Sequence, residues 1–208
     1  MLTCTNLNLE NNNGAVFLNM GFTLLPGSLL VVKGANGSGK TCLLKMIAGL
    51  VAYTNGTITW NKINIDDDIH AFRQNLCYIG HDNALKGELT VFDNLQFWCE
   101  LKNQPELLMP AIHHFHLQNI LDMSVGSLSI GWQRKVDLAR ILLSPTNLWL
   151  LDEPEINLDQ TGKNLLMDLI KTRVRERGIV IIASHGLNDL AYANYLNIED
   201  FADDKNLT

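Results

Sequence analysis

The sequence is 208 residues long, and what it lacks removes several classes of protein. No apolar run exceeds strand length. Leu29–Val32, Leu148–Leu151 and Ile179–Ala183 fall well short of the ~20 residues a helix needs to cross a bilayer. Met1–Asn13 carries no Lys or Arg and no apolar stretch, so the N-terminus does not read as a secretion signal. The cysteines Cys4, Cys42, Cys77 and Cys99 include no Cys-x-x-Cys pair, and their spacing suggests neither a zinc site nor a disulfide framework. Reduced thiols in a cytosolic compartment are the expectation. Positive charge is in deficit, with 16 Lys+Arg against 22 Asp+Glu and a net charge of −6, which argues against the basic footprint of a nucleic-acid protein. There is no internal repeat and no low-complexity linker.

What is present is hydrocarbon. With 47% apolar and 18% charged residues, the chain can fill one core. A soft prior of about 150 residues per domain predicts a single domain over 1–208. Residues 1–33 read as β structure, with Pro26-Gly27 as a turn before the buried-type strand Leu29–Val32. A glycine-rich loop, Gly34–Gly39, follows, then a helix from about Lys40 to Ala48. Asn55-Gly56 marks a turn into an alternating segment, Thr57–Trp60, and Leu76–Ile79 is a short strand. From about 85 to 127 the pattern is helical and predicts a subdomain inserted at one edge. Further on, the spacing predicts a helix from about Trp132 to Leu143, a strand Leu148–Leu151 and a helix from about Gly162 to Arg177. A strand Ile179–Ala183, a short helix Gly186–Tyr195 and an unstructured acidic tail Phe201–Thr208 complete the reading. The order predicts an α/β fold with a parallel core sheet, an antiparallel β subdomain at the N-terminus and the helical insertion.

Gly34-Ala35-Asn36-Gly37-Ser38-Gly39-Lys40-Thr41 fits the phosphate-loop pattern G-x-x-x-x-G-K-[ST] in full, between a buried strand and a helix. Glycines allow backbone N–H groups to turn inward as an anion nest, and the following helix adds its unpaired N–H groups and dipole. Lys40 supplies a point charge for the β/γ oxygens of a nucleoside triphosphate, Thr41 a hydroxyl for Mg²⁺, and Cys42 continues the loop into the helix. Asp152-Glu153-Pro154 ends an apolar strand with two adjacent carboxylates. Asp152 is placed to hold Mg²⁺ with Thr41, and Glu153 to polarise the water that attacks the γ-phosphate.

Leu128-Ser129-Ile130-Gly131-Trp132-Gln133-Arg134 lies 24 residues before Asp152 and opens a helix. Leu158-Asp159 follows the carboxylate pair, and Ile182-Ala183-Ser184-His185 ends a strand. With the phosphate loop, these segments resemble the ATP-binding cassette family of transporter ATPases in kind, order and spacing, over essentially residues 1–200. The resemblance implies that Leu128–Gln133 stand for the signature, Leu158-Asp159 for the D-loop and His185 for the switch histidine. It also implies ATP and Mg²⁺ as ligands, and a second copy packed head to tail so that Ser129 and its helix N-terminus meet the nucleotide in trans. Integral membrane subunits would complete the transporter, with this chain peripheral on the cytoplasmic face of a bacterial inner membrane. Within the family, Tyr78-Ile79-Gly80-His81 followed by Glu88-Leu89-Thr90, together with Gln133-Arg134, is similar to the haem-exporter ATPases of bacterial cytochrome c maturation. Haem is then handled by the complex, not by this chain.

Three features depart from the family pattern: the signature, the Q-loop and the adenine-stacking aromatic. Ile130 replaces a glycine and Trp132 a glutamine in the signature. His81 or Asp82 stands where the Q-loop glutamine is usual. No Tyr occupies Glu10–Ala15, where an adenine-stacking aromatic is common, and Phe17 is the nearest aromatic. Other readings are an ATP-binding cassette for a different cargo, a GTPase or small-molecule kinase, or a soluble cassette acting on DNA or ribosomes. Asn61-Lys62-Ile63-Asn64 approaches the guanine motif Asn-Lys-x-Asp but ends in Asn and reads as a hairpin. His113, His114 and His116 read as the polar face of the helical block.

Overall fold

The computed structural model describes residues 1–11, 14–188 and 190–202. The first elements are strands β1 (Leu2–Asn11), β2 (Gly14–Leu24) and β3 (Leu29–Lys33), helix α1 (Lys40–Ile47), and strands β4 (Asn55–Trp60) and β5 (Ile63–Asn64). Helix α2 (Ile69–Arg73), strand β6 (Leu76–Ile79) and helices α3 (Val91–Leu101), α4 (Leu108–His114) and α5 (Ile130–Ala139) follow. Strand β7 (Leu148–Asp152), helix α6 (Gln160–Arg175) and strands β8 (Ile179–Ala183) and β9 (Ala193–Asn197) complete the order. Two sheets result. One is antiparallel, in the order β2-β1-β4-β5; the other is parallel, in the order β6-β7-β8-β3-β9. The β4–β5 turn is Asn61-Lys62, both at positive φ, the geometry of a tight hairpin, so the near-match to a guanine motif is that turn.

The parallel strands separate two cores by alternation. Leu29, Val31, Trp149, Leu151, Val180 and Ile182 face one way, among the buried residues of α3, α5 and α6. Leu30, Val32, Leu148, Leu150, Ile179 and Ile181 face the other, against α1 and the antiparallel sheet. Burial on both faces explains why these strands are continuous apolar runs. Phe17 is fully buried on the second side, so it offers no face to a purine; the expectation that it is the nearest stacking aromatic is corrected. Phe17→Ala is expected to cost about 3–5 kcal/mol in denaturant unfolding, the usual loss for emptying an aromatic core position.

Four other expectations are corrected. Gly186–Tyr195 is not a helix: β9 lies parallel to the edge of β3, with Leu196 buried. Phe201 belongs to a 3-10 turn (Ile198–Phe201), and the rest of the predicted tail beyond Ala202 lies outside the described residues. The helix expected from Trp132 begins two residues earlier, because Ser129 caps it, and ends at Ala139. The 85–127 block, read as helical, holds α3 and α4 with one 3-10 turn (Pro105–Leu107) between them and two more after α4. Its first helix, α3, opens on a reciprocal capping box between Thr90 and Asp93. His116 lies beyond the end of α4 at positive φ, so His113 and His116 do not share a helix. Helix α2, with Asp68 as its N-cap, gave no signal in the sequence.

Candidate nucleotide site

The strands β3, β6, β7 and β8 run parallel, so their C-terminal ends lie at one edge, where ligands of open α/β sheets bind. Register fixes the level. Ala183 pairs with both Val32 and Asp152, and Ile79 pairs with Leu151. The residues one step beyond therefore meet: the phosphate loop after Lys33, Gly80-His81 after β6, Glu153 after β7 and Ser184-His185 after β8.

The phosphate loop is closed by two glycines that no L-residue could replace. Gly34 has φ +146, and a Cβ there would lie 2.5 Å from Ser38 Oγ and 2.6 Å from Ile198 Cγ2. Gly39, the N-cap of α1, has φ +103, and its Cβ would lie 2.6 Å from Val16 Cγ1. The buried hydroxyl of Ser38 has no hydrogen-bond partner among the described residues. Outside the loop, Glu199 accepts the Ala35 N–H at 2.7 Å. Cys42 is half-buried in the first turn of α1.

Three side chains converge beside this loop. The buried ammonium of Lys40 donates to the carbonyls of Gly34 and Ala35, at 2.8 Å each, and stands 2.9 Å from His185 Nε2. His185 Nε2 is in turn 3.4 Å from Glu153 Oε1. Glu153 occupies the left-handed region at φ +46, a conformation that costs a non-glycine residue about 1–3 kcal/mol and that clusters at functional sites. Its N–H still donates to Ala183 O at 2.8 Å, so the chain leaves the sheet at this residue.

Asp152 is 1% exposed. Burial pushes its carboxyl above the usual range, the Thr41 hydroxyl beside it opposes the shift, and the charge of Glu153 adds to it. Oδ2 of Asp152 has no hydrogen-bond partner among the described residues. A buried carboxylate oxygen without a donor, next to a threonine hydroxyl, is the hard oxygen pair that a divalent cation takes, so these residues fit Mg²⁺. No group of three or more His, Cys, Asp or Glu that could hold a metal ion occurs among the described residues.

His81 and Asp82 are exposed and share a cleft of about 230 Å³ with Glu153, Arg134, Asn83 and Ile130. Of the signature residues, Ser129 caps α5 through the Trp132 N–H, and Ile130 is 62% exposed at the helix N-terminus. Gly131 and Trp132 line a second cleft with Lys135, Asn157 and Asp159, and Lys135 Nζ sits 4.6 Å over the Trp132 ring. Leu128 is buried, and Gln133 is turned inward, its amide donating to the carbonyls of Val125 and Leu128. Leu158 is buried. Asp159 caps α6 through the Gly162 N–H at 2.7 Å and pairs with Lys135, and those two donors hold its carboxyl below the usual range. None of the described hydrogen bonds or ion pairs joins Ser129–Trp132 to the chain's own phosphate loop.

Two contacts had no sequence signal. Ser184 Oγ donates to Glu155, tying the strand end that carries His185 to the loop after Glu153. Arg134, 4% exposed, donates to five acceptors in two segments around Glu153, residues 152–154 and 80–83. Burial lowers the guanidinium pKa, and the Asp137 carboxylate opposes that.

The profile of the ABC transporter family matches residues 17–155. A curated relative, the cytochrome c biogenesis ATP-binding export protein CcmA of Wolbachia pipientis wMel, is 42% identical over 185 residues, 89% of this chain and 89% of that protein. A solved structure described as a putative ABC transporter ATP-binding protein from Pyrococcus furiosus superposes with a TM-score of 0.83 at 25% identity, over 97% of this chain and 99% of that one. The same fold is seen in the ATP-binding cassette MJ0796, solved as a dimer in a post-hydrolysis state bound to ADP and Pi. It gives a TM-score of 0.83 at 20% identity over 95% of this chain and 94% of that one. The chain belongs to the ABC transporter family.

Proposed function

We propose that this chain binds and hydrolyses ATP to drive export in cytochrome c biogenesis, with haem handled by the membrane partners. The observation that carries the hydrolytic reading is the placement of His185 Nε2 between Lys40, at 2.9 Å, and Glu153, at 3.4 Å, beside the phosphate loop and the unpartnered oxygen of Asp152. The loop amides, the α1 N-terminus and Lys40 grip the β and γ phosphates. Thr41 and Asp152 hold Mg²⁺, which neutralises charge on the transferred phosphoryl group. Glu153, carried on the same turn as the Asp152 carboxylate, accepts the proton of the attacking water. His185, 3.4 Å from that carboxylate and 2.9 Å from Lys40, orients the water and the γ-phosphate. Asp152→Asn is expected to raise the Mg²⁺ concentration for half-maximal ATPase activity by more than the about 10–100-fold that outer-shell changes cost, measured by titrating the metal. An unchanged requirement would remove Asp152 from the metal.

None of the described bonds joins the signature residues to the chain's own loop, and a neighbour of the same fold is solved as a dimer, so in this reading a second copy completes the pocket. Ser129 and the α5 N–H groups meet the γ-phosphate of the opposing nucleotide, and Ile130 and Trp132 shape that contact. His81 and Asp82, in the cleft with Glu153, link the site to the helical block. There, exposed Phe97, Leu101 and Met109 offer apolar area to a membrane subunit. No described helix is long and apolar enough to cross a membrane. The relatives named as export proteins support the reading of a peripheral chain on the cytoplasmic face of the inner membrane.

The test is genetic and chemical together. A strain without the gene is expected to lose covalent haem staining of its c-type cytochromes, restored by the wild-type chain and not by Glu153→Gln. Intact c-type cytochromes in the deletion strain would assign a different cargo while leaving the ATPase reading in place.

A further inference from the structure

We propose that Arg134 is a positioning residue for Glu153, one that ties the signature helix α5 to the backbone turn aiming that carboxylate. The inference rests on the reading of Glu153 given above and adds to it the group that holds Glu153 in place.

The guanidinium grips three successive carbonyls of the turn. Nη2 donates to Asp152 O and Glu153 O at 3.0 Å each, and Nε donates to Pro154 O at 3.3 Å. Its other arm, Nη1, donates to Gly80 O at 3.0 Å and to Asn83 Oδ1 at 3.4 Å, in the segment that carries His81 and Asp82. Asp137, 0% exposed, receives Nη1 at 3.4 Å and neutralises the buried charge. All the N–H donors of the guanidinium are thus committed, in a site almost closed to water.

The geometry gives this bonding a purpose. Glu153 is a non-glycine residue at φ +46, a conformation that persists only where surrounding structure over-determines it. The bonded carbonyls lie immediately before, at and after that residue, so Arg134 fixes both peptide planes that flank it. A planar fork can hold several acceptors in one arrangement, which a flexible ammonium cannot. Arg134 sits on the helix that Ser129 caps, one turn from the surface Ile130 exposes. A nucleotide engaging that surface from a second copy thereby acts on the same rigid helix that sets the Glu153 turn. The network continues through Asp137, which also accepts the Ala84 N–H at 3.2 Å and pairs with Arg140, whose guanidinium lies 3.9 Å over the Trp98 ring on α3.

The experiment is a double-mutant cycle on ATP turnover in the transporter assembled with its membrane subunits. Arg134→Ala is expected to lower kcat about 10–30-fold with KM for ATP within about threefold, because the phosphate loop is untouched. Arg134→Lys, which keeps the stem and the charge but not the fork, is expected to lose about 3–10-fold, and it serves as the test variant if the alanine substitution fails to fold. In a Glu153→Gln background either Arg134 substitution is expected to cause no further loss, since Arg134 acts through that carboxylate. Losses that multiply in the double variant, or a rise in KM at unchanged kcat, would overturn the inference while leaving the role of Glu153 standing. Full turnover in Glu153→Gln alone would overturn the reading beneath it, and the inference with it.

Discussion

Glu153→Gln is expected to lower ATP turnover by about 10²–10⁴-fold, the usual worth of a positioned general base, while leaving ATP affinity within a few-fold of wild type. The amide is isosteric and keeps the turn, whose conformation is set by backbone bonds from Arg134 and by the Glu153 N–H to Ala183. What it loses is the capacity to take a proton. Its contact with His185 Nε2, at 3.4 Å, loses its charge as well, so the histidine orients the γ-phosphate without a carboxylate partner. Because binding depends on the loop amides, Lys40 and Mg²⁺, the nucleotide stays intact in the pocket and the two-copy state accumulates. Single-turnover chemistry and sizing of the protein with ATP and Mg²⁺ measure the two consequences separately. Wild-type turnover in this variant would take Glu153 out of the reaction, whatever the association state.

The sequence disclosed those parts of the fold in which local pattern and final burial agree. Strands β3, β7 and β8 are buried on both faces, so their apolar runs needed no periodicity to be seen. Strand β9 was missed for a physical reason. Leu187 and Leu190 precede it at helical spacing, and the strand itself has one buried residue, Leu196, among half-buried and exposed neighbours. What makes β9 a strand is the open edge of β3, a long-range partner that no local window contains. Helix α2 is five residues long, too short for a periodic signal, and rests on the Asp68 cap.

The site divides along a similar line. The phosphate loop and Asp152-Glu153 are legible because their chemistry demands particular side chains at fixed spacing: glycine where φ is positive or a Cβ would collide, an ammonium, a hydroxyl, two carboxylates. Arg134 is illegible because nearly everything it holds is a backbone carbonyl, and carbonyls have no residue identity. Glu155 with Ser184 is hidden for another reason. An acid and a serine that meet across two strand ends are common residues with no motif between them. Gln133 shows the reverse case, a residue in the signature pattern whose amide serves the loop before the helix. A motif names positions; only the fold says which way each side chain points.

Lys40→Ala is expected to weaken ATP binding by about 10–100-fold, matching the loss of charge-assisted hydrogen bonds worth about 1.5–3 kcal/mol. Turnover falls further, by about 10²–10³-fold, the cost of removing one preorganised donor from developing transition-state charge. The two losses are separable because they arise at different stages. In the structure the ammonium is buried, bonded to Gly34 O and Ala35 O, and faces His185 Nε2 at 2.9 Å. The loop carbonyls therefore hold the charge at the mouth of the site, and the γ-phosphate takes it over without a large movement of the stem. Alanine leaves those carbonyls without a donor and leaves His185 without its neighbouring cation, so the local geometry around the γ position changes along with the charge. Arg at this position would restore charge but not shape, since a planar fork cannot occupy the space of a point ammonium between two carbonyls and an imidazole, and it is expected to recover binding better than turnover. Equilibrium binding of a fluorescent ATP analogue, set beside steady-state hydrolysis for both substitutions, makes the comparison. Unchanged affinity in Lys40→Ala would mean that the loop does not hold the triphosphate.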